Sequence, residues 1–251
     1  MLSKNKIKYI KSLELKKNRK EEKVFVAEGH KSVDELLDCF SCKLIVATSE
    51  WLSRHDDIKA QEIIEVSDDE LAKASFLKSP QEVLAIFEQP EYKLDVSLPK
   101  NSLCLALDEV QDPGNLGTIV RVADWFGIEN IFCSLGTADI YNPKTVQATM
   151  GAISRVKVHY CDLPEFISSL EGVKVYGTFL DGENLYDSAI SENGLIVMGN
   201  EGNGISSEIE KLVNSKLLIP NYPVGRTTSE SLNVAMATGI ICAEFRRRIK
   251  R

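Results

Sequence analysis

The sequence predicts an α/β protein with a mostly parallel sheet and helices on both faces in its second half, preceded by a small mixed unit. Three observations point there. From residue 102 onward, strand-like and helix-like segments alternate strictly, the pattern of a parallel sheet covered by its crossover helices. Before residue 90, strand-like runs surround a helical one. Between them, EQPEYKLDVSLPKNS (88–102) carries two prolines and little periodicity, and reads as a linker. With 251 residues, the chain divides into domains 1–95 and 96–251.

In the first half, KVFVAEG (23–29) and CKLIVATS (42–49) read as strands around the helix HKSVDELLDC. EIIEV (62–66) is a short strand, and DDELAKASF (68–76) a helix with acidic residues in its first turn. SPQEVLAIFEQP (79–90) is a strand after a turn signal. Lys16, Lys17, Lys20, Glu21 and Glu22 read as a solvated helix face. In the second half, strands are expected at 102–109, 130–134, 156–160, 173–180, 195–199 and 217–220. Helices are expected at 117–127, ended by Gly127, at 142–152, begun by Asn-Pro, and at 163–170, 206–213 and 231–249.

Composition excludes several classes. No apolar run approaches bilayer length, so no membrane partner is expected. The amino-terminal stretch has no continuous apolar segment and does not read as a signal peptide. Six scattered cysteines (39, 42, 104, 133, 161, 242) read as reduced cytoplasmic thiols. Cys39 and Cys42 form a lone CxxC without the second pair that a zinc site needs. The three histidines have no visible partners, and no metal constellation is present. The net charge of −7 is unevenly spread. Residues 1–31 hold ten Lys or Arg against four acidic residues, and residues 244–251 five against one. Such ends suit phosphate contacts and equally suit plain solvation.

Three stretches at strand ends carry the chemistry, since ligands of open α/β sheets bind outside the carboxyl ends of strands. The first is LDEVQDPGNLGTIVRVAD (107–124), where Asn115 sits at an N-cap position and Arg121 inside the helix. At about 100° per residue the two meet only if Asn115 belongs to the loop. Taken alone, the pair reads as a cap and a surface charge. The second, LIVMGNEGNGIS (195–206), ends a strand in closely spaced glycines around Glu201. Glycine there permits positive φ and close ligand approach. It matches neither the dinucleotide fingerprint nor the P-loop, which disfavours a dinucleotide-dependent oxidoreductase. The third is LLIPNYPVGRTTSESLNVAMATG (217–239). Ser231 reads as a cap, whereas Asn233 is a weak helix former within a first turn and calls for another role. Arg226, in the ten-residue loop NYPVGRTTSE, reads as a surface charge.

Together, N-x5-R at 115–121, G-N-E-G at 199–202 and I-P…S-L-N-V ending at 234 resemble the three motifs of the SpoU (TrmH-type) RNA ribose 2′-O-methyltransferases of the SPOUT superfamily. The resemblance covers residues 102–251. More weakly, Glu28-Gly29 and the PQEVLAIF strand resemble the small ribosomal-protein-like α/β domain that many members carry in front for binding RNA. The resemblance implies a deep trefoil knot forming a pocket for S-adenosylmethionine, a homodimer with the site near its interface, and no metal. It implies cofactor contacts at Gly199, Ile219 and Leu232, with Thr178, Leu180 and Gly202 nearby. It implies catalytic positions at Asn115, Arg121, Glu201, Ser231 and Asn233. The implied activity is methylation of a ribose 2′-hydroxyl, in 23S rRNA by analogy with two-domain members. The alternatives are a tRNA substrate and a non-catalytic RNA-binding protein on the same scaffold.

Overall fold

The computed structural model describes residues 1–223, 226, 227, 229 and 231–249. Four residues of the 221–230 loop, Val224, Gly225, Thr228 and Glu230, lie outside the described residues, as do Lys250 and Arg251. The first elements are α1 (Lys4–Ser12), α2 (Lys16–Glu22), β1 (Val24–Glu28), α3 (His30–Leu37), β2 (Cys42–Ala47), α4 (Ser49–Leu52), β3 (Ala60–Glu65), α5 (Asp68–Ala74) and β4 (Val83–Glu88). Then come α6 (Leu98–Asn101), β5 (Leu103–Leu107), α7 (Pro113–Trp125), β6 (Asn130–Ser134), α8 (Pro143–Thr149), β7 (Lys157–Cys161), α9 (Leu163–Ser168), β8 (Val175–Asn184), β9 (Gly194–Met198), α10 (Ser207–Glu210), β10 (Ser215–Leu218) and α11 (Val234–Arg248). They form two compact units, residues 1–91 with 139–154 and residues 92–138 with 155–251.

The first unit is built on a sheet of order β1-β4-β2-β3, parallel only between β2 and β3. Side chains alternate between its faces. Val24, Val26, Leu44, Val46, Leu84 and Ile86 share one apolar cluster with Ile10 and Leu13 near α1 and Leu71 and Ala74 of α5. Ser67 and Glu70 close a capping box at the start of α5. Elsewhere in the unit Phe25 stacks on Phe87 at 5.6 Å and meets Tyr141 at 5.1 Å. Tyr141 comes from the 139–154 segment, whose α8 packs against β1.

Lys16, Lys17, Lys20, Glu21 and Glu22 are exposed, as their charge pattern predicts. Arg19, on the same helix, turns inward and is 1% exposed. Its guanidinium donates to the Leu13 and Glu14 carbonyls at 2.8 and 2.6 Å and to Asp139 Oδ2 at 2.5 Å. Removing one partner of a buried ion pair strands the other charge in a poor solvent. Asp139→Ala is therefore expected to destabilise this unit by about 3 kcal/mol. A urea melt following the buried Trp51, with Trp125→Phe to remove the other tryptophan, reads it. An unchanged midpoint would show that the pair contributes nothing.

The second unit is a six-stranded, all-parallel sheet of order β10-β8-β9-β5-β6-β7. Helices α7 and α11 pack together. Three expectations shift. The linker contains the short helix α6. The strand expected at 217–220 pairs at 215–218. The strand expected at 173–180 runs to residue 184, because its register with β10 jumps from Lys216↔Gly177 to Leu217↔Glu183. Residues 178–182 thus bulge from the ladder. Lys216 sits between Asp181 (3.0 Å) and Glu210 (2.6 Å) and over the Phe179 ring, fastening the bulge.

The three arginines of the last helix are engaged within the unit. Arg246 donates to the carbonyls of Phe126 and Gly127 just beyond α7, at 2.6 and 3.0 Å. Arg247 and Arg248 both donate to the buried Glu244. The bond from Arg247 foremost, opposed by burial and reinforced by Arg248, holds the Glu244 carboxyl down at about 2.

His159 on β7 is buried, stacked on Phe132 at 5.1 Å, with Nε2 3.1 Å from Asn130 Oδ1. Burial, then Lys157, lowers its pKa below 6.5. As pH falls through 6.5, the unfolded chain takes up a proton that the folded one refuses, so stability falls toward acid. His159→Phe should flatten the slope of unfolding free energy between about pH 7 and pH 5. An unaltered slope would assign the effect to other groups.

Candidate active site

The pairing of β5 with β9 aligns Leu107 with Met198. The loops that leave both carboxyl ends therefore start side by side, at the point where the chain builds outward in both directions. Asp108, 4% exposed, accepts the Ser206 amide at 2.7 Å and ties the two loops together. Asn200 closes the glycine-rich loop on itself. It exchanges backbone hydrogen bonds with Gly204 (2.9 and 3.0 Å), accepts the Gly202 and Asn203 amides on its side chain, and donates to the Glu109 carbonyl at 2.7 Å. Gly199 is required by this closure: a Cβ there would lie 2.2 Å from the Gly204 carbonyl carbon. Gly204 has φ +71°, a conformation other residues rarely adopt.

A polar series crosses this region. Glu201 Oε1 accepts from Asn115 Nδ2 at 3.0 Å and from the Asp112 amide at 3.2 Å, and Oε2 accepts the Gln111 amide at 3.1 Å. Asn115 Oδ1 in turn accepts from Asn233 Nδ2 at 2.9 Å. Asn233 Oδ1 accepts the Ala235 and Met236 amides at 3.0 and 3.3 Å. Burial raises the Glu201 carboxyl, but its hydrogen bonds from Asn115 and the backbone outweigh this, leaving its pKa below 4.5. It is a carboxylate at neutral pH.

Two sequence expectations are corrected here. Asn115 is not a loop residue or the cap of α7. Asp112 is the cap, accepting the Asn115 amide at 2.9 Å, and Asn115 lies in the first helical turn. Pro113 at the first position supplies the start signal that sequence pattern assigns to Asn115. Asn115 and Arg121 consequently point to different sides of α7. Arg121 is exposed and makes no hydrogen bond or ion pair among the described residues. Similarly, the last helix begins at Val234 rather than at 231, with Asn233 as its cap. Ser231 lies outside the helix and is exposed.

Thr178, Leu180, Gly199, Gly202, Ile219 and Leu232 all line one cleft of about 490 Å³, together with Glu201 and Ser231. Phe179, Met198, Ile205 and Leu218 add apolar wall that motif reading did not reach. These side chains become a wall only through the β8 bulge and the folding back of the 199–204 loop. No lysine or arginine is among the described lining residues. Another hollow, of about 570 Å³ and lined by Asn101, Glu192 and Arg246 among others, contains none of the sequence-identified residues. Among the described residues, no group of three or more His, Cys, Asp or Glu side chains is disposed to hold a metal.

Residues 102–243 match the SpoU rRNA Methylase family, and residues 4–85 match the MRM3-like substrate binding domain. The 23S rRNA (guanosine(2553)-2′-O)-methyltransferase RlmP of Bacillus subtilis is 34% identical over 245 residues, 96% of each chain. A TrmH-family protein of Porphyromonas gingivalis superposes with a TM-score of 0.89 at 40% identity, covering 99% of both chains. An AdoMet-bound rRNA methyltransferase of Sinorhizobium meliloti superposes with a TM-score of 0.85 at 30% identity, covering 100% of this chain and 97% of that one. With the family model matching residues 102–243 and these likenesses extending over the whole length of the chain, the chain belongs to the SpoU rRNA methylase family.

Proposed function

We propose that the protein is an S-adenosylmethionine-dependent methyltransferase acting on a ribose 2′-hydroxyl of RNA, in 23S rRNA as for the B. subtilis relative. One observation carries the reading. Six residues from three separate stretches, Thr178 and Leu180, Gly199 and Gly202, Ile219 and Leu232, line one cleft whose wall also holds Glu201, the start of the polar series. The cleft fits the cofactor. Its apolar walls suit a purine, its glycines expose backbone groups, and its described lining residues, none of them Lys or Arg, suit a nucleoside without phosphates. When bound, S-adenosylmethionine supplies a methyl group on a sulfonium.

The chain's own residues align the acceptor and exclude water. Ser231, Asn115 and Asn233 orient the ribose. Arg121, on a different side of α7 from Asn115 and without a partner among the described residues, holds a neighbouring phosphate of the RNA strand as a bidentate donor. The amino-terminal domain, 1–95 in sequence terms, contacts RNA. Its likeness to a substrate binding domain and the exposed Lys4, Lys8, Lys16, Lys17 and Lys20 support this. Trp125 and Met236, 84% and 63% exposed on α7 and α11, support a homodimer through these helices. The trefoil knot and a cytoplasmic location complete the proposal.

Calorimetry with S-adenosylmethionine, wild type against Gly199→Ala, tests the pocket. Saturable binding that weakens by about a hundredfold or more in the variant is expected, the effect of displacing a wall by an ångström-scale shift. Labelled methyl should then enter RNA from a strain lacking the gene and appear as a 2′-O-methylnucleoside on digestion. Label in a base, or in tRNA alone, would redirect the substrate assignment. Arg121→Lys should lower transfer by about tenfold or more, since an ammonium cannot reproduce the bidentate fork. Near-full activity would remove that role.

A further inference from the structure

The polar series has fixed ends, and the ends set the direction of everything between them. At one end, Asn233 Oδ1 accepts two helix amides, Ala235 and Met236, which can only donate. Its Nδ2 must therefore face Asn115, which presents Oδ1 to it at 2.9 Å. Asn115 Nδ2 then faces Glu201, a carboxylate, which can only accept. Both Glu201 oxygens also take backbone amides, from Gln111 and Asp112. Turning either amide over would set two donors or two acceptors against each other. Each asparagine retains one N–H that no described residue takes up. What the series offers outward is thus donors.

We propose that Glu201 is a positioning residue: through Asn115 it fixes the polarity of the series, so that Asn115 and Asn233 meet an oxygen of the RNA strand as N–H donors. The inference rests on the methyltransferase reading and assigns Glu201 no contact with the reacting atoms. The oxygen is an acceptor that gains negative charge as its proton leaves, and aimed donors favour that change.

The series can be reversed by design. Glu201→Gln brings one N–H too many, because both carboxylate oxygens accept. Asn233→Asp keeps the helix cap but has no N–H for Asn115. In the double variant the new side-chain amide at position 201 can donate to Asn115 Oδ1, and Asn115 can donate to the new carboxylate at position 233, with the cap intact, although the Asp112 amide then faces a donor in place of Oε1.

The experiment is a double-variant cycle on Glu201→Gln and Asn233→Asp, in the wild-type and Asn115→Ala backgrounds. It is read by urea midpoint and by single-turnover transfer of labelled methyl from S-adenosylmethionine to RNA. Each single change should slow transfer about ten- to a hundredfold, the scale of one hydrogen bond to a charged group. The double variant should be at least about tenfold faster than the product of the single effects, and this coupling should vanish with Asn115→Ala. Additive effects would overturn the proposal. So would coupling that survives Asn115→Ala, which would trace to net charge, or a loss of the acidic limb of the pH–rate profile in Glu201→Gln, which would make Glu201 the base. If the wild type transfers no methyl group, the methyltransferase reading fails, while the urea cycle still reports on the polarity of the series.

Discussion

The parallel pairing of β5 with β9 is the constraint on which the site depends. Strands far apart in sequence end level with each other, Leu107 opposite Met198. Every later contact inherits that register. Asp108 can reach the Ser206 amide, and Glu201 can reach the Gln111 and Asp112 amides, only because the strand ends coincide. A slip of one residue would turn each side chain to the opposite face of the sheet. Both strands are fully buried, so such a slip would also misplace the core.

Within that frame, rigidity comes mainly from backbone and amide groups. Asn200 turns the glycine-rich loop back on itself, and Asp112 and Asn233 start the two helices that face each other across the polar series. Asn233 has two duties that need not compete: its oxygen serves the helix and its nitrogen serves Asn115. The site therefore has little freedom to lose when a substrate arrives, which is the advantage of a preorganised polar environment.

Much of this is legible in the sequence. The alternation after residue 102 corresponds to six parallel strands, and Asn115, Glu201 and Asn233, one from each motif, join in one hydrogen-bonded series, whereas Arg121 faces another side of α7. What escapes is set by contacts distant in sequence. A helix start is a local signal, yet Asp-Pro-Gly-Asn offers two capping side chains, and only the position of Pro113 decides for Asp112. Asn233 looks misplaced in sequence because Ser231, two residues earlier, is itself a good capping residue. The β8 bulge has no local signature, since it arises from the offset against β10. Arg19 reads as one more charge in a basic run, and its burial depends on Asp139, 120 positions away.

The membership of residues 139–154 in the first unit has a consequence for synthesis. A domain at the amino end is ordinarily free to fold as soon as it leaves the ribosome. Here Phe25 and Arg19 wait for Tyr141 and Asp139, so the first unit is complete only after β5, α7 and β6 of the second have been made. The chain passes between the units three times, after residues 91, 138 and 154. Gene fusion or exchange at the proline-bearing stretch would therefore part β1 and Arg19 from the 139–154 segment that packs on them.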